Sequence, residues 1–329
     1  MNQDDIDNLR KAMGTLPSQF PKKSYDVVRG VTKMDVEMYD FPRNPYKTIC
    51  ESVVSTWGDD KYEAVWPKLS PQNRFKVVLA TLQGLTLPTA LETINFSFIV
   101  RNLPRHCFDQ HARARIGCTF FSIGTRDNCK LDSSLILYTK LYDKLWDKNG
   151  DATEFGEKFL KHMEEMKDIY EEIIQNKGSW QIARALLPMS FHHSYKFSCN
   201  FLALQGQCAR RMCFAEEEFI VALHWKLREL VGTKFPLMSN YLRPACDKAK
   251  KCLYSKSYEL SNSFGCLFAG CGRWPSGTEY ATFNESCSDK KEIEKQTGMK
   301  IPNCGEWINY TEDDYDKLDE RDKKLFEEN

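Results

Sequence analysis

WQIARALLPMSFHHSYKFSCNFLALQGQCARRMCFAEEE, running from Trp180 to Glu218, is the stretch whose reading decides what kind of chain this is. It is rich in arginine, aromatic and small residues, and it carries no acid until its last three positions. Pro188 biases the residue before it away from helical dihedrals, so a helix is expected to end near Leu186 and Leu187. From Phe191 to Ala209 the sequence mixes hydroxyls, rings and Asn200, and Arg210 and Arg211 follow directly. With Arg184, that makes three arginines on a nearly acid-free background. A guanidinium is a planar fork that stays charged when partly desolvated, so such a set suits a buried anion or the polar edge of a flat ring. The same composition also describes a core helix with two surface arginines.

The 329 residues around this stretch are enough for one large domain or two. The hydrophobic fraction of 42% and charged fraction of 28% are those of an ordinary globule. A formal net charge of zero argues against an electrostatic nucleic-acid binder, so no direct nucleic-acid partner is expected. No apolar run is long enough to span a bilayer, and the N-terminus has no basic-then-apolar signal, so a cytoplasmic protein without a membrane partner is expected. Thirteen cysteines in such a chain point to free thiols or metal ligation rather than disulfides.

Residues 1–30 are polar and read as an arm or a weak helix. Val36 and Met38 alternate with acids, predicting a short strand over 34–40. Asn44-Pro45 and Ser70-Pro71 are helix starts, a capping side chain followed by a proline suited to the first turn. Ile49, Val53 and Trp57 form the apolar stripe of the first helix. Phe75, Val78, Leu79 and Leu82 form that of the second, with Gly84 as its stop. Phe96 and Phe98 alternate with Asn95 and Ser97 as a strand. Helices are expected over 132–150, 153–176 and 215–230, the last stopped at Gly232. From Thr278 the chain is polar and its end, from Glu312, acidic: an appended tail, either solvated or laid on the body.

Between Arg101 and Arg126 lie five arginines. Arg113 and Arg115 flank Ala114, a spacing that puts both guanidinia on one face of an extended chain. Such a segment can grip a diphosphate, or it can be a solvated basic loop.

The order of these residues resembles the flavin-dependent thymidylate synthase family. Ala183-Arg184, Leu187-Pro188, Asn200, Leu204 and Arg211 match its C-terminal half. Thr89, Glu92, Gln110, Arg113, Arg115 and Gly124 match its signature region, as does Arg126 with one inserted residue. The resemblance covers roughly Met34 to Pro275. It implies a mixed α/β fold, a twisted and largely antiparallel sheet with flanking helices, assembled as a homotetramer with active sites shared between subunits. Taken with the polar composition of the two ends, this divides the chain into an N-terminal arm over 1–30, a catalytic domain over 31–275 with a Cys-rich end at 246–271, and a polar, acidic tail over 276–329.

What the resemblance implies for chemistry is one-carbon transfer to C5 of a pyrimidine deoxynucleotide. That is dUMP methylation to dTMP, with methylenetetrahydrofolate as donor and NADPH reducing an FAD cofactor. Arg184, Arg211, Gln110 and the turn containing Ser122, Gly124 and Arg126 would meet the nucleotide, Arg211 as the residue that polarises the ring. Thr89, Arg113, Arg115 and Asn200 would meet the flavin. Some members of the family carry a cysteine array similar to Cys213, Cys246, Cys252 and Cys271, with Cys266 as a rival fourth ligand, which implies a zinc site. The chain departs from the pattern at Leu87, Ala114, Cys118, Phe121, Ile123, Leu202 and Gly206. Two further functions stay open on these departures: hydroxymethylation of dUMP or dCMP at C5, and a non-catalytic nucleotide-binding or assembly subunit.

Overall fold

The computed structural model describes residues 25–58, 61–122, 134–176, 178, 180–214, 216–249, 289–303 and 306–328. They fall into two compact units, each built from separated stretches of chain. One gathers residues up to Lys33 with Arg101–Asp109 and Ser122–Ser194; the other gathers Met34–Val100, Gln110–Phe121 and the chain from Tyr195 onward.

In chain order the strands are β1 (Val27–Arg29), β2 (Asp35–Asp40), β3 (Asn95–Pro104), β4 (Cys118–Ser122), β5 (Leu135–Leu137) and β6 (His192–Asn200). The helices used below are α1 (Pro45–Val54), α2 (Pro71–Gln83), α3 (Arg105–His111), α4 (Thr139–Leu145), α5 (Glu154–Gln175), α6 (Phe201–Arg211), α7 (Glu218–Lys234), α8 (Pro236–Asn240), α9 (Lys290–Thr297) and α10 (Glu320–Glu327). Four strands form an antiparallel sheet in the order β2-β3-β6-β4. Strands β1 and β5 pair in parallel, with Val27 opposite Leu135 and Arg29 opposite Leu137.

The first unit is small. Tyr25, Leu135 and Phe191 form its buried cluster, and Phe159 and Met163 of α5 pack against it with Val27 and Leu187. Thr153 caps α5 by accepting from Gly156 N–H at 3.1 Å. Tyr25 and Val27 of this cluster fall inside the segment 1–30 whose polarity suggested an arm. The helix expected over 132–150 is in fact strand β5 followed by the shorter α4. Leu135, Ile136 and Leu137 are all buried, and a short, fully buried apolar run carries no periodicity that separates strand from helix.

In the second unit the capped helices begin where expected. Asn44 Oδ1 accepts from Lys47 N–H at 3.1 Å, Ser70 Oγ accepts from Asn73 N–H at 3.3 Å, and Gly84 ends α2 in the left-handed region at φ 75°. Trp57 lies past the end of α1 and is 67% exposed, so it is not part of that helix's stripe. Helix α7 is buried on every side from Phe219 to Trp225 and is the central element of this unit. It runs through Gly232 to Lys234, so Gly232 is no stop. A Cβ there would come within 2.9 Å of Ser239 Oγ, and the glycine lets α8 fold back closely on α7.

The polar C-terminal segment lies on the body and packs into this unit's core. Phe326 of α10 is fully buried and stacks on Tyr46 with ring centroids 4.5 Å apart. Arg74 Nη1 donates to the carbonyls of Phe326 at 2.6 Å and Glu328 at 3.2 Å, while Nε and Nη2 donate to Trp66 O at 3.1 and 2.9 Å. Asp322, fully buried, accepts from the Tyr46 hydroxyl and from Leu237 N–H.

Candidate active site

The candidate residues of the second unit gather around the start and end of α6. Asn200 caps that helix, its Oδ1 accepting Ala203 N–H at 2.8 Å, and its own N–H donates to Gly117 O at 2.9 Å. Gly117 has φ 69°, and a Cβ at that position would lie 2.6 Å from Asn200 Nδ2. Glycine is therefore required on two counts, the backbone conformation and the close approach. This contact fixes the loop carrying Arg113 and Arg115 to the N-terminus of α6.

Arg113 and Arg115 stand in the turn and coil between α3 and β4 rather than in a strand; α3 has ended and the sheet has not yet begun. Both are exposed, and neither side chain has a hydrogen bond or ion pair among the described residues. Thr89 is exposed as well. Two solvated guanidinia without carboxylate partners and a free hydroxyl fit an anionic diphosphate in kind. Asn200, engaged as a cap, has its carbonyl oxygen already committed.

Gln110, one residue before the end of α3, has a buried Oε1 with no hydrogen-bond partner among the described residues. A buried acceptor left unsatisfied is costly, and it is the kind of atom a donor on a ligand would satisfy.

Beneath Arg211 lies a polar cluster that sequence reading did not identify. His111 Nδ1 contacts Tyr195 OH at 2.8 Å, and its Nε2 contacts the Gln207 amide at 2.9 Å. His224 of α7 contacts the same amide from Nε2 at 3.4 Å and donates from Nδ1 to Ile220 O, 2.8 Å away. The other side of the Gln207 amide lies 2.9 Å from Cys118 Sγ. Burial holds His111 well below the usual imidazole range, down to about 4, and holds His224 well below that range too. Both rings are therefore neutral at pH 7.

Cys118 and Cys199 lie side by side on β4 and β6. The Cys199 thiol donates towards Cys118, which lowers the Cys118 pKa and raises that of Cys199, the more deeply buried of the two. Of this pair, Cys118 is the partly exposed one that gives up its proton more readily. The signals that could have revealed the cluster are the two-residue alternation Tyr195, Phe197, Cys199 and the four-residue spacing from Gln207 to Arg211.

Arg211, at the last position of α6, is half-buried and paired with Glu216 at 2.9 Å. The acid-free background read from the sequence thus ends at this arginine. Arg210 points elsewhere and donates from Nε to Gly206 O at 3.2 Å. A cavity of about 530 Å³ opens on the opposite side of α6 from Gln207, lined among others by Leu202, Gly206, Gln83, Leu91, Tyr241 and Arg243.

Arg184 and Ser122 belong to the first unit, and both are exposed. Gly124 and Arg126 lie outside the described residues, as do Cys252, Cys266 and Cys271. Cys213 and Cys246 are partly buried. Among the described residues no group of three or more His, Cys, Asp or Glu side chains gathers as a metal site. No described helix is long and apolar enough to cross a membrane.

The family model for the thymidylate synthase complementing proteins matches residues 44–237, more than half of the chain. The chain belongs to this family, that of the flavin-dependent thymidylate synthases. Among solved structures the fold is similar to that of a UMP/dUMP methylase PolB from Streptomyces cacaoi bound with 5-Br dUMP. The sequences are 15% identical, the TM-score is 0.51, and the match covers 65% of this chain and 96% of that one. The same methylase bound with 5-Br UMP matches with a TM-score of 0.44 at 15% identity, over 66% of this chain and 96% of that one. No curated protein matches the chain.

Proposed function

We propose that this protein methylates dUMP at C5 to give dTMP, taking the carbon from methylenetetrahydrofolate and using FAD reduced by NADPH, as a homotetramer with shared sites. The observation that carries this reading is Arg211. A half-buried guanidinium ends α6 within the part of the chain that matches the family, close enough for its charge to act on two buried, neutral histidines.

C5 of uracil is a weak nucleophile, and it becomes reactive when negative charge builds on the ring carbonyls and N3. A positioned guanidinium stabilises that charge without reorganising, which lowers the barrier to C5 attack. Arg211 fills this role. His111 and His224, being neutral, add no competing positive charge beside it, and Glu216 is its carboxylate partner among the described residues. Gln110 supplies a buried acceptor for a ligand N–H or O–H. Arg113, Arg115 and Thr89 would hold the flavin, the two guanidinia on its diphosphate. FAD, when bound, supplies the hydride that completes the methyl group. Arg184, Ser122, Gly124 and Arg126 are assigned to the nucleotide, and Asn200 to the flavin, by their match to the family pattern. Zinc on Cys213, Cys246, Cys252 and Cys271 is assigned on the same ground, and elemental analysis of protein purified without chelator tests it.

One observation favours a second reading. Leu202 and Gly206, where the family pattern has polar flavin contacts, line a mainly apolar cavity. A weakened hold on the flavin would let water rather than hydride quench the exocyclic methylene, giving 5-hydroxymethyl-dUMP, or its cytosine counterpart from dCMP.

The experiment is product mass from dUMP incubated with the protein, FAD, NADPH and methylenetetrahydrofolate. A gain of one CH₂ supports methylation, and a further gain of one oxygen supports hydroxymethylation. Unchanged dUMP, together with a colourless protein that fails to bind added FAD, would move the assignment to a non-catalytic subunit.

A further inference from the structure

The turn that follows α6 brings a carboxylate back onto Arg211. Glu216 N–H donates to Cys213 O at 3.0 Å and closes the turn, which Trp225 Nε1 anchors to α7 by donating to Met212 O at 3.2 Å. Both Glu216 oxygens then meet a single guanidinium nitrogen, with Arg211 Nη1 2.9 Å from Oε1 and 3.0 Å from Oε2. This is not the two-nitrogen fork that makes an arginine–carboxylate pair strong. Nε and Nη2 of Arg211 make no bond to the described residues. The two side chains keep 31% and 24% of their exposure, so solvent and an incoming anion can reach the pair. The neutral rings of His111 and His224 beneath it offer no counter-charge, and Glu216 supplies one.

We propose that Glu216 is a built-in counter-anion that holds Arg211 in place and competes with the anionic nucleotide for it, so that this carboxylate sets nucleotide affinity. The proposal rests on the nucleotide reading above. Two features of the geometry favour competition over simple support. The carboxylate meets Nη1, on the outer edge of the fork where a ligand would also bind. Its partly exposed position keeps the ion pair weak enough to exchange. A nucleotide that takes Arg211 leaves Glu216 on a solvent-accessible turn, where a released carboxylate is rehydrated at little cost.

The test is phenylglyoxal labelling of Arg211, followed by peptide mass in the wild-type protein and in Glu216→Gln, each with and without dUMP. The expected result is labelling several times faster in Glu216→Gln without nucleotide. Protection by dUMP is expected in both proteins, half-complete at about three- to tenfold lower dUMP in the variant. Equal labelling rates without dUMP would overturn the counter-anion assignment itself. Faster labelling of the variant with no protection by dUMP in either protein would overturn the nucleotide reading, and the competition with it. Weaker protection in the variant would mean that Glu216 helps to bind the nucleotide, which also overturns the proposal. Should Glu216→Gln fold poorly, Glu216→Asp shortens the reach of the same charge, and a smaller change in the same direction is expected.

Discussion

Arg74 and Arg211 belong to the same unit and are both at least half-buried, yet they are placed in opposite ways. Arg74 gives donors from all three of its guanidinium nitrogens to the carbonyls of Trp66, Phe326 and Glu328, and its plane lies over the Trp66 ring at 4.2 Å. Arg211 presents one nitrogen to one carboxylate and leaves the rest of the fork open. A saturated arginine rigidifies the chain it touches. An unsaturated one at a half-open surface is available to bind. The difference lies in the partners, because backbone carbonyls cannot leave when a ligand arrives, whereas the side chain of Glu216 can.

Arg211→Lys should break this comparison most sharply. The charge is kept and the planar fork is lost, and a point ammonium does not reproduce it against a ring edge. Turnover is expected to fall by about two to three powers of ten, the size seen when one preorganised donor to developing charge is removed. Arg210→Lys is the control, since its side chain lies back along α6 towards Gly206 O, and it should be nearly silent. Equal losses at both positions would reduce Arg211 to a general electrostatic role.

Arg74→Ala should have the opposite profile. It leaves the Phe326 carbonyl without its donor and withdraws bonds from Trp66 and Glu328, so stability should drop on the order of 3 kcal/mol, read as an earlier denaturation midpoint in urea. Because no described bond runs from Arg74 to Arg211, the folded fraction should bind dUMP as the wild type does. A large loss of dUMP affinity with unchanged stability would erase the contrast between the two arginines.

Much of the framework was legible in sequence because the signals were local. Asn44-Pro45, Ser70-Pro71 and Gly84 specify helix ends by capping and backbone geometry, and each end falls where they put it. The helix expected over 153–176 is likewise present, as α5. Strand β5 was missed because Leu135–Leu137 is apolar on both faces. Gly232 was misread because its role, a close approach of α8, is tertiary. At the site, Arg211 and Arg113 stood out through their spacing and family match. Gln207, His224, Tyr195 and Glu216 did not, since single polar residues gain meaning only when distant segments meet. How deeply the polar tail packs was hidden for a related reason. Its described aromatic residues, Trp307, Tyr310, Tyr315 and Phe326, are buried while most charges around them, Asp314 and Asp322 apart, reach solvent, so average composition hid their packing.

The smallest expected effect concerns the acid beside the saturated arginine's anchor. Asp322 is fully buried, and burial pushes its carboxyl up to about 7, although the Tyr46 hydroxyl and Leu237 N–H both favour the ionised form. The unfolded chain loses this proton near 3.8, while the folded chain keeps it to about 7. The stabilising contribution is therefore complete below the unfolded value and is lost as pH rises through about 7. His111 and His224 act with the opposite sign. Their pKa values are depressed by burial, so their contribution is present above the unfolded imidazole value and is lost as pH falls towards that of the folded state. A bare stability profile of the wild type would blend the two. The difference between wild type and Asp322→Asn cancels the histidines, because that variant is neutral at every pH and leaves them untouched. Between pH 5 and pH 8 the wild type should lose on the order of 2 kcal/mol relative to the variant, measured by urea denaturation at each pH. The shift should be unchanged in Glu216→Gln, since that carboxylate belongs to the other arginine. If the difference is flat with pH, Asp322 is ionised throughout, and its attachment of the C-terminal segment works as an ordinary charge-assisted hydrogen bond. If it slopes the other way, so that the wild type gains on the variant as pH rises, the two donors to the carboxylate outweigh its burial.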